Sequence, residues 1–128
     1  MSDKAYEENL KTISGEAGSD LSAKQYHFVT MAADGQYDAT GDGAKADGIL
    51  QNDPSVAGQA ATIGIDGVSK LVVGGAVTAG DDVSSNAAGR GVSATTTGDI
   101  ILGRALTGAS SNGQLIALRL SLSYEPVA

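Results

Sequence analysis

The sequence predicts an all-β fold: a small β-sandwich or β-barrel of about eight short strands, led by a flexible polar N-terminal arm. Three observations predict it. Glycine occurs 18 times in 128 residues, about twice an average usage of roughly 7%. The glycines punctuate short β-prone runs, so the chain reads as strand, turn, strand. Finally, the two candidate helices, within residues 1–22 and over Ser55–Ala61, carry no convincing apolar stripe.

Taken in order, residues 1–22 are polar and acidic, with Asp3, Glu7, Glu8, Glu16 and Asp20 against Lys4 and Lys11. Tyr6, Leu10 and Ile13 have helical spacing, but Ser14-Gly15 would end such a helix at once. The segment reads either as a frayed terminus or as an arm that orders on a partner surface by burying those three side chains. Residues 23–128 then form one β domain. Gln25–Met31 is the first strand, with Tyr26, Phe28 and Thr30 on one face and His27, Val29 and Met31 on the other. Asp34–Asp47 reads as an Asp- and Gly-rich loop. A short strand, Gly48–Gln51, lies between the turns Asp47-Gly48 and Asn52-Asp53-Pro54, and Gln59–Ile65 follows as another strand.

Within Gly64–Val83, the runs Val68–Val73 and Ala76–Thr78 flank Gly74-Gly75 and predict a tight hairpin, because glycine takes positive φ without steric cost. Gly80-Asp81 marks the next reversal. Ser84–Gly91 reads as a loop, Val92–Thr97 as a weak strand, and Ile100–Leu106 as a strand with Gly103 marking a bulge or a close backbone approach. Asn112-Gly113 is the strongest hairpin signal. The last strand, Gln114–Tyr124, is the longest, with Ile116, Leu118, Leu120, Leu122 and Tyr124 on a clean apolar face and Arg119 on the polar one.

Composition removes several function classes. The net charge of −7 argues against nucleic acid and anionic membranes, both of which require a basic footprint. No apolar run approaches the roughly 20 residues of a membrane span, and the charged start MSDKAYEENLKT is not a secretory signal. Cysteine is absent, which leaves no disulfide or thiolate chemistry. Only five aromatic residues, one Phe and four Tyr, supply core mass, so oligomerisation would add stability that a thin core lacks.

No catalytic constellation stands out. The single His27 has no cysteine or second histidine to join it, and no Gly-x-Ser-x-Gly elbow occurs. Asp38, Thr40, Asp42 and Gly43 resemble the start of an EF-hand loop, but the twelfth position is Ile49, not Glu, so no metal is expected. Gly75–Val83 has the Gly-x-Val-x-x-Gly-Asp-x-Val grammar of biotinyl- and lipoyl-carrier domains. Lys70, between Ser69 and Leu71, lacks their modification motif. The expectation is a protein without enzymatic activity, cofactor or metal.

The order of motifs is informative. ADGILQNDPSVAGQAATI is followed by GVSKLVVGGAVTAGDDV and then by GRGVSATTTGDIILGRALTGASSNGQLIALRL. This series resembles the small capsid cement, or head decoration, proteins of tailed bacteriophages over about residues 25–120. The markers are Asp47-Gly48, Asn52-Asp53-Pro54, Ala79–Asp81, Gly103–Leu106 and Asn112-Gly113. The resemblance implies a virion protein made in the host bacterial cytoplasm. It would bind the outer surface of the major capsid protein and brace the shell, as a homo-oligomer with a trimer favoured. Tyr6, Leu10 and Ile13 are the expected capsid contacts, and Arg90, Arg104 and Arg119 the expected inter-subunit or capsid ion pairs. The alternative is another virion module, such as a tail or fibre part or a carbohydrate-binding domain.

Overall fold

A computed structural model describes residues 5–128. Every regular element in it is a strand: β1 (Glu8–Ala17), β2 (Phe28–Met31), β3 (Gln36–Ala39), β4 (Gly48–Leu50), β5 (Ala60–Val72), β6 (Asp82–Ser85), β7 (Gly91–Ser93), β8 (Ile100–Ala105) and β9 (Leu115–Pro126). They form one nine-stranded sheet in the order β1-β3-β2-β4-β5-β9-β8-β6-β7, and β1 also pairs with β5. That extra pairing closes β1, β3, β2, β4 and β5 into a small barrel. The second half of β5 continues out of the barrel into an open sheet with β9, β8, β6 and β7. The expected small β fold is therefore present as a barrel and an open sheet sharing one long strand.

Two cores follow from this topology. Ala17, Leu21, Val29, Tyr37, Leu50, Ala61 and Ile63 fill the barrel. A larger core, including Phe28, Ile49, Leu71, Val83, Leu102, Ile116, Leu118 and Leu120, lies between the barrel's flank and the open sheet. Adjacent residues on β2 and β4 serve different cores: Phe28 and Ile49 face the larger one, Val29 and Leu50 the barrel. That is strand alternation used on both faces. Of the expected apolar face of β9, Ile116, Leu118 and Leu120 are core residues, while Leu122 and Tyr124 pack on its margin.

Several elements differ from expectation, each for a physical reason. The segment read as an arm forms β1, paired antiparallel with β5 from Glu8↔Val68 to Glu16↔Ala60. Small residues anchor it. Ala17 is fully buried, and Gly15 lies under the Tyr37 ring, where a Cβ would come 2.5 Å from Tyr37 Cε1. Within the expected arm, Met1–Lys4 lie outside the described residues. The Gly74-Gly75 hairpin does not form. Residues Val68–Val72 pair with β9 instead, and Val77 makes a lone bridge to Ala109.

Two expected strands, Gln59–Ile65 and Val68–Val73, are one strand, β5. Gly67, at φ +100°, lies against Asn9 at the irregularity between the Glu8↔Val68 and Lys11↔Asp66 pairs. The Asp34–Asp47 loop contains β3, and the expected 84–91 loop begins inside β6. Val56–Gln59 is a turn, not a helix. The first strand starts at Phe28 rather than Gln25, because Tyr26 stands at φ +63°. Gly103 does mark a bulge in the β8–β9 register, and its missing Cβ leaves room for the Arg119 carbonyl.

Candidate functional site

The three arginines separate into two environments. Arg90 follows the β6–β7 turn and is committed within the chain. Its Nε donates to His27 Nε2 at 3.3 Å and its Nη1 to Asn112 Oδ1 at 2.6 Å. His27 is 2% exposed, and its Nδ1 lies 3.1 Å from the Gln25 carbonyl oxygen. An Nδ1–H tautomer satisfies both contacts: it donates to Gln25 and leaves Nε2 to accept from Arg90. Burial lowers the His27 pKa below its ordinary 6.5; Lys24 and Arg90 lower it further, against the opposing Gln25 and Lys24 backbone bonds. The cluster ties the β1–β2 link, the β6–β7 turn and the β8–β9 loop together. Within the chain, Arg90 acts as a structural staple.

Arg104 and Arg119 are brought together. They are direct partners across β8 and β9, and both are exposed. They line a shallow cleft of about 200 Å³ with Asp82, Ser121, Ser123 and Glu125. A second cleft adjoins it, formed by the same two arginines with Ala79, Gly80 and Leu106. Among the described residues neither guanidinium donates a side-chain hydrogen bond, unlike that of Arg90. The sequence named both residues. Their adjacency depends on the β8–β9 register, which no local signal reports.

The N-terminal trio is split as well. Tyr6, just before β1, is 41% exposed and Ile13 is 40% exposed. Leu10 turns inward: it packs on the larger core, and a Cβ on Gly64 would come 2.9 Å from Leu10 Cδ1. Tyr6 and Ile13 are available to a partner surface, whereas Leu10 is half spent on the fold.

The acidic loop serves the fold. Asp38 accepts from Ser19 Oγ at 2.5 Å, and buried Thr40 shares a hydrogen bond with Thr30. Gly43, at φ +64°, donates its N–H to the Ser85 carbonyl and accepts from the Ile100 N–H. Among the described residues no three His, Asp or Glu side chains converge as a metal-ligand group.

Lys70 lies mid-strand opposite Ala117, with its Nζ 5.7 Å from the centroid of the Tyr26 ring. It is not presented at a hairpin tip. Asp81 caps its turn through Oδ2, which accepts from the Thr78 N–H at 3.0 Å and from Ser93 Oγ at 2.7 Å. Those bonds hold its carboxyl below the usual range.

Of the aromatic residues, Tyr6 is exposed and Tyr26 half-buried among the described residues. Phe28 and Tyr37 are buried. The half-buried Tyr124 donates its hydroxyl to the Ala46 carbonyl at 2.8 Å. Burial, and secondarily Asp47, raise the pKa of both Tyr37 and Tyr124. Among the described residues no helix is long and apolar enough to cross a membrane.

The scaffold is all-β, and its exposed charged residues Arg104 and Arg119 lie side by side on one face. The chain belongs to the phage cement protein family, which matches it over residues 23–120. This is a family of phage structural proteins and not of enzymes. In fold, the chain is similar to the structure titled "The crystal structure of head fiber gp8.5 N base in bacteriophage phi29". The TM-score is 0.70 at 17% identity, covering 91% of this chain and 98% of that one. No curated protein matches.

Proposed function

We propose that this protein decorates the outer surface of the assembled major capsid shell and braces it against internal pressure. The observation that carries this reading is the cement-family match over residues 23–120. The protein is made in the host bacterial cytoplasm and acts on the capsid exterior as a homo-oligomer, with a trimer the favoured state. Each subunit bridges neighbouring capsomers, so modest contacts add through effective concentration. Exposed Tyr6 and Ile13 supply apolar contacts to the shell. Leu10 supports them by fixing β1 to the core.

The test is to titrate purified protein onto expanded shells that lack it and to measure occupancy and shell rupture temperature. Saturable binding with a raised rupture temperature is expected; absence of binding rejects the reading. The double variant Tyr6→Ala/Ile13→Ala is expected to weaken occupancy by about tenfold, the scale of losing an interface anchor. Unchanged occupancy would move the shell contact to another face.

A second reading has one specific support, the likeness in fold to the phi29 head fibre base. In it, the domain is a mount on the head for a fibre. Density extending beyond the domain on decorated particles would favour this reading. A glycan-binding role has less support, because Tyr6 is the one exposed aromatic side chain among the described residues.

A further inference from the structure

The strand register builds a charge row across five strands. Glu8 on β1 faces Val68 on β5, Val68 faces Arg119 on β9, Arg119 faces Arg104 on β8, and Arg104 faces Asp82 on β6. Facing residues on paired strands share one side of a sheet. Glu8, Arg119, Arg104 and Asp82 are all exposed, with Val68 buried between them. The row therefore reads acid, apolar, base, base, acid on the outer surface.

Two like charges placed directly opposite destabilise a strand pair. This chain carries a net charge of −7 and has only three arginines, yet it sets two of them against each other. Their guanidinium groups adjoin two clefts and donate no side-chain hydrogen bond among the described residues. Such a pair is balanced when a carboxylate from outside is inserted between the forks, since guanidinium binds carboxylate through paired N–H donors.

We infer that the Arg104–Arg119 pair is a carboxylate-binding face whose occupant is a second copy of this chain. Charge complementarity selects that occupant. Fifteen Asp and Glu residues make a neighbouring copy a ready source of carboxylates. The row also ends in Glu8 and Asp82, so the surface that needs acid also offers it. Leu106, 37% exposed at the edge of the second cleft, adds apolar area to the contact. The inference rests on the oligomeric part of the proposed function and names the face that carries it.

The test is sedimentation equilibrium of the purified full chain at low and high NaCl. The wild-type protein is expected to self-associate, more weakly at high salt because the ions screen the pairs. Arg104→Glu/Arg119→Glu is expected to weaken association by at least about tenfold. Arg119→Lys keeps the charge without the fork and falls between the two. Arg119→Gln guards against misfolding: the monomer keeps or raises its melting temperature, because the opposed pair is relieved, while association still weakens.

A wild-type protein that is monomeric at every concentration overturns the inference. So does a charge-reversed variant that associates normally. Loss of shell binding in the variant of a monomeric wild-type protein gives the face to the capsid and overturns the second-copy occupant. Arg-dependent self-association in a protein that binds no shell supports the inference and sinks the decoration reading, so the two fail separately.

Discussion

The barrel and the open sheet solve the same problem with different material. The open sheet's core is built on long aliphatic side chains such as Leu71, Leu102, Ile116 and Leu118. The barrel core is smaller: Leu21, Val29, Leu50 and Ile63 pack with Ala17, Ala61 and Tyr37, whose ring lies over Gly15. A closed ring of five strands has little interior, so its core holds fewer side chains, and Gly15 and Ala17 let β1 approach Tyr37 closely. The difference also explains β1. It lies outside the residues matched by the cement family yet closes the barrel.

Core truncations test the comparison most strongly. Leu118→Ala in the sheet core and Leu50→Ala in the barrel are each expected to cost about 2–5 kcal/mol, read by urea denaturation. Because β5 runs through both units, each variant should still unfold in one transition. Two separate transitions would show that barrel and sheet are independent folding units.

Next in size are the glycines at close backbone approaches. A Cβ at Gly48 would collide with the Gly64 carbonyl on the barrel side, and one at Gly103 with the Arg119 carbonyl on the sheet side. Gly48→Ala and Gly103→Ala should each destabilise by about 1–3 kcal/mol. Equal stability of the Gly103 variant would remove the packing reason for the β8 bulge.

The His27 cluster joins the two units, so pH probes the joint. Burial, aided by Lys24 and Arg90, depresses the folded-state pKa of His27 below 6.5. The unfolded chain therefore takes up the proton first as pH falls. The stabilisation is complete above pH 6.5 and is lost as pH drops from there through the lower folded value. Protonation also converts Nε2 from acceptor to donor and removes the bond from Arg90. Melting temperature should fall over this window in the wild type and stay flatter in His27→Gln; parallel curves would acquit the cluster.

The smallest effect is expected at the Asp81 turn cap on the sheet side. Asp81→Ala loses the bonds to Thr78 and Ser93, at about 0.5–1.5 kcal/mol. Acidification through the lowered Asp81 pKa should reproduce part of that loss in the wild-type protein and none of it in the variant.

Legibility differed between the two units because burial is one-sided in β9 and two-sided in β2 and β4. β9 alternates apolar and polar residues because one face meets a core and the other faces outward, and the sequence shows it as a clean stripe. β2 at Phe28-Val29 and β4 at Ile49-Leu50 are buried on both faces, so the sequence shows strands there but not which core each side chain serves. β1 was obscured because its anchors are Gly15 and Ala17, which carry little hydrophobic signal. Of the candidate site, the residue types were visible: exposed Tyr6 and Ile13, and the three arginines. Which arginine is stapled and which two are opposed was not.

By itself, the sequence determined the all-β class, the turn positions at Gly80-Asp81 and Asn112-Gly113, the apolar face of β9, and a motif order that points to phage cement proteins. These depend on local backbone freedom and period-two alternation, which are written along the chain. Tertiary structure alone decided that Val68–Val72 pairs with β9 rather than across Gly74-Gly75, that β1 closes a barrel, and that Arg104 meets Arg119. Those are choices between distant strands. They are settled by which pairing buries the most apolar surface in the whole molecule, and no window of sequence contains both partners.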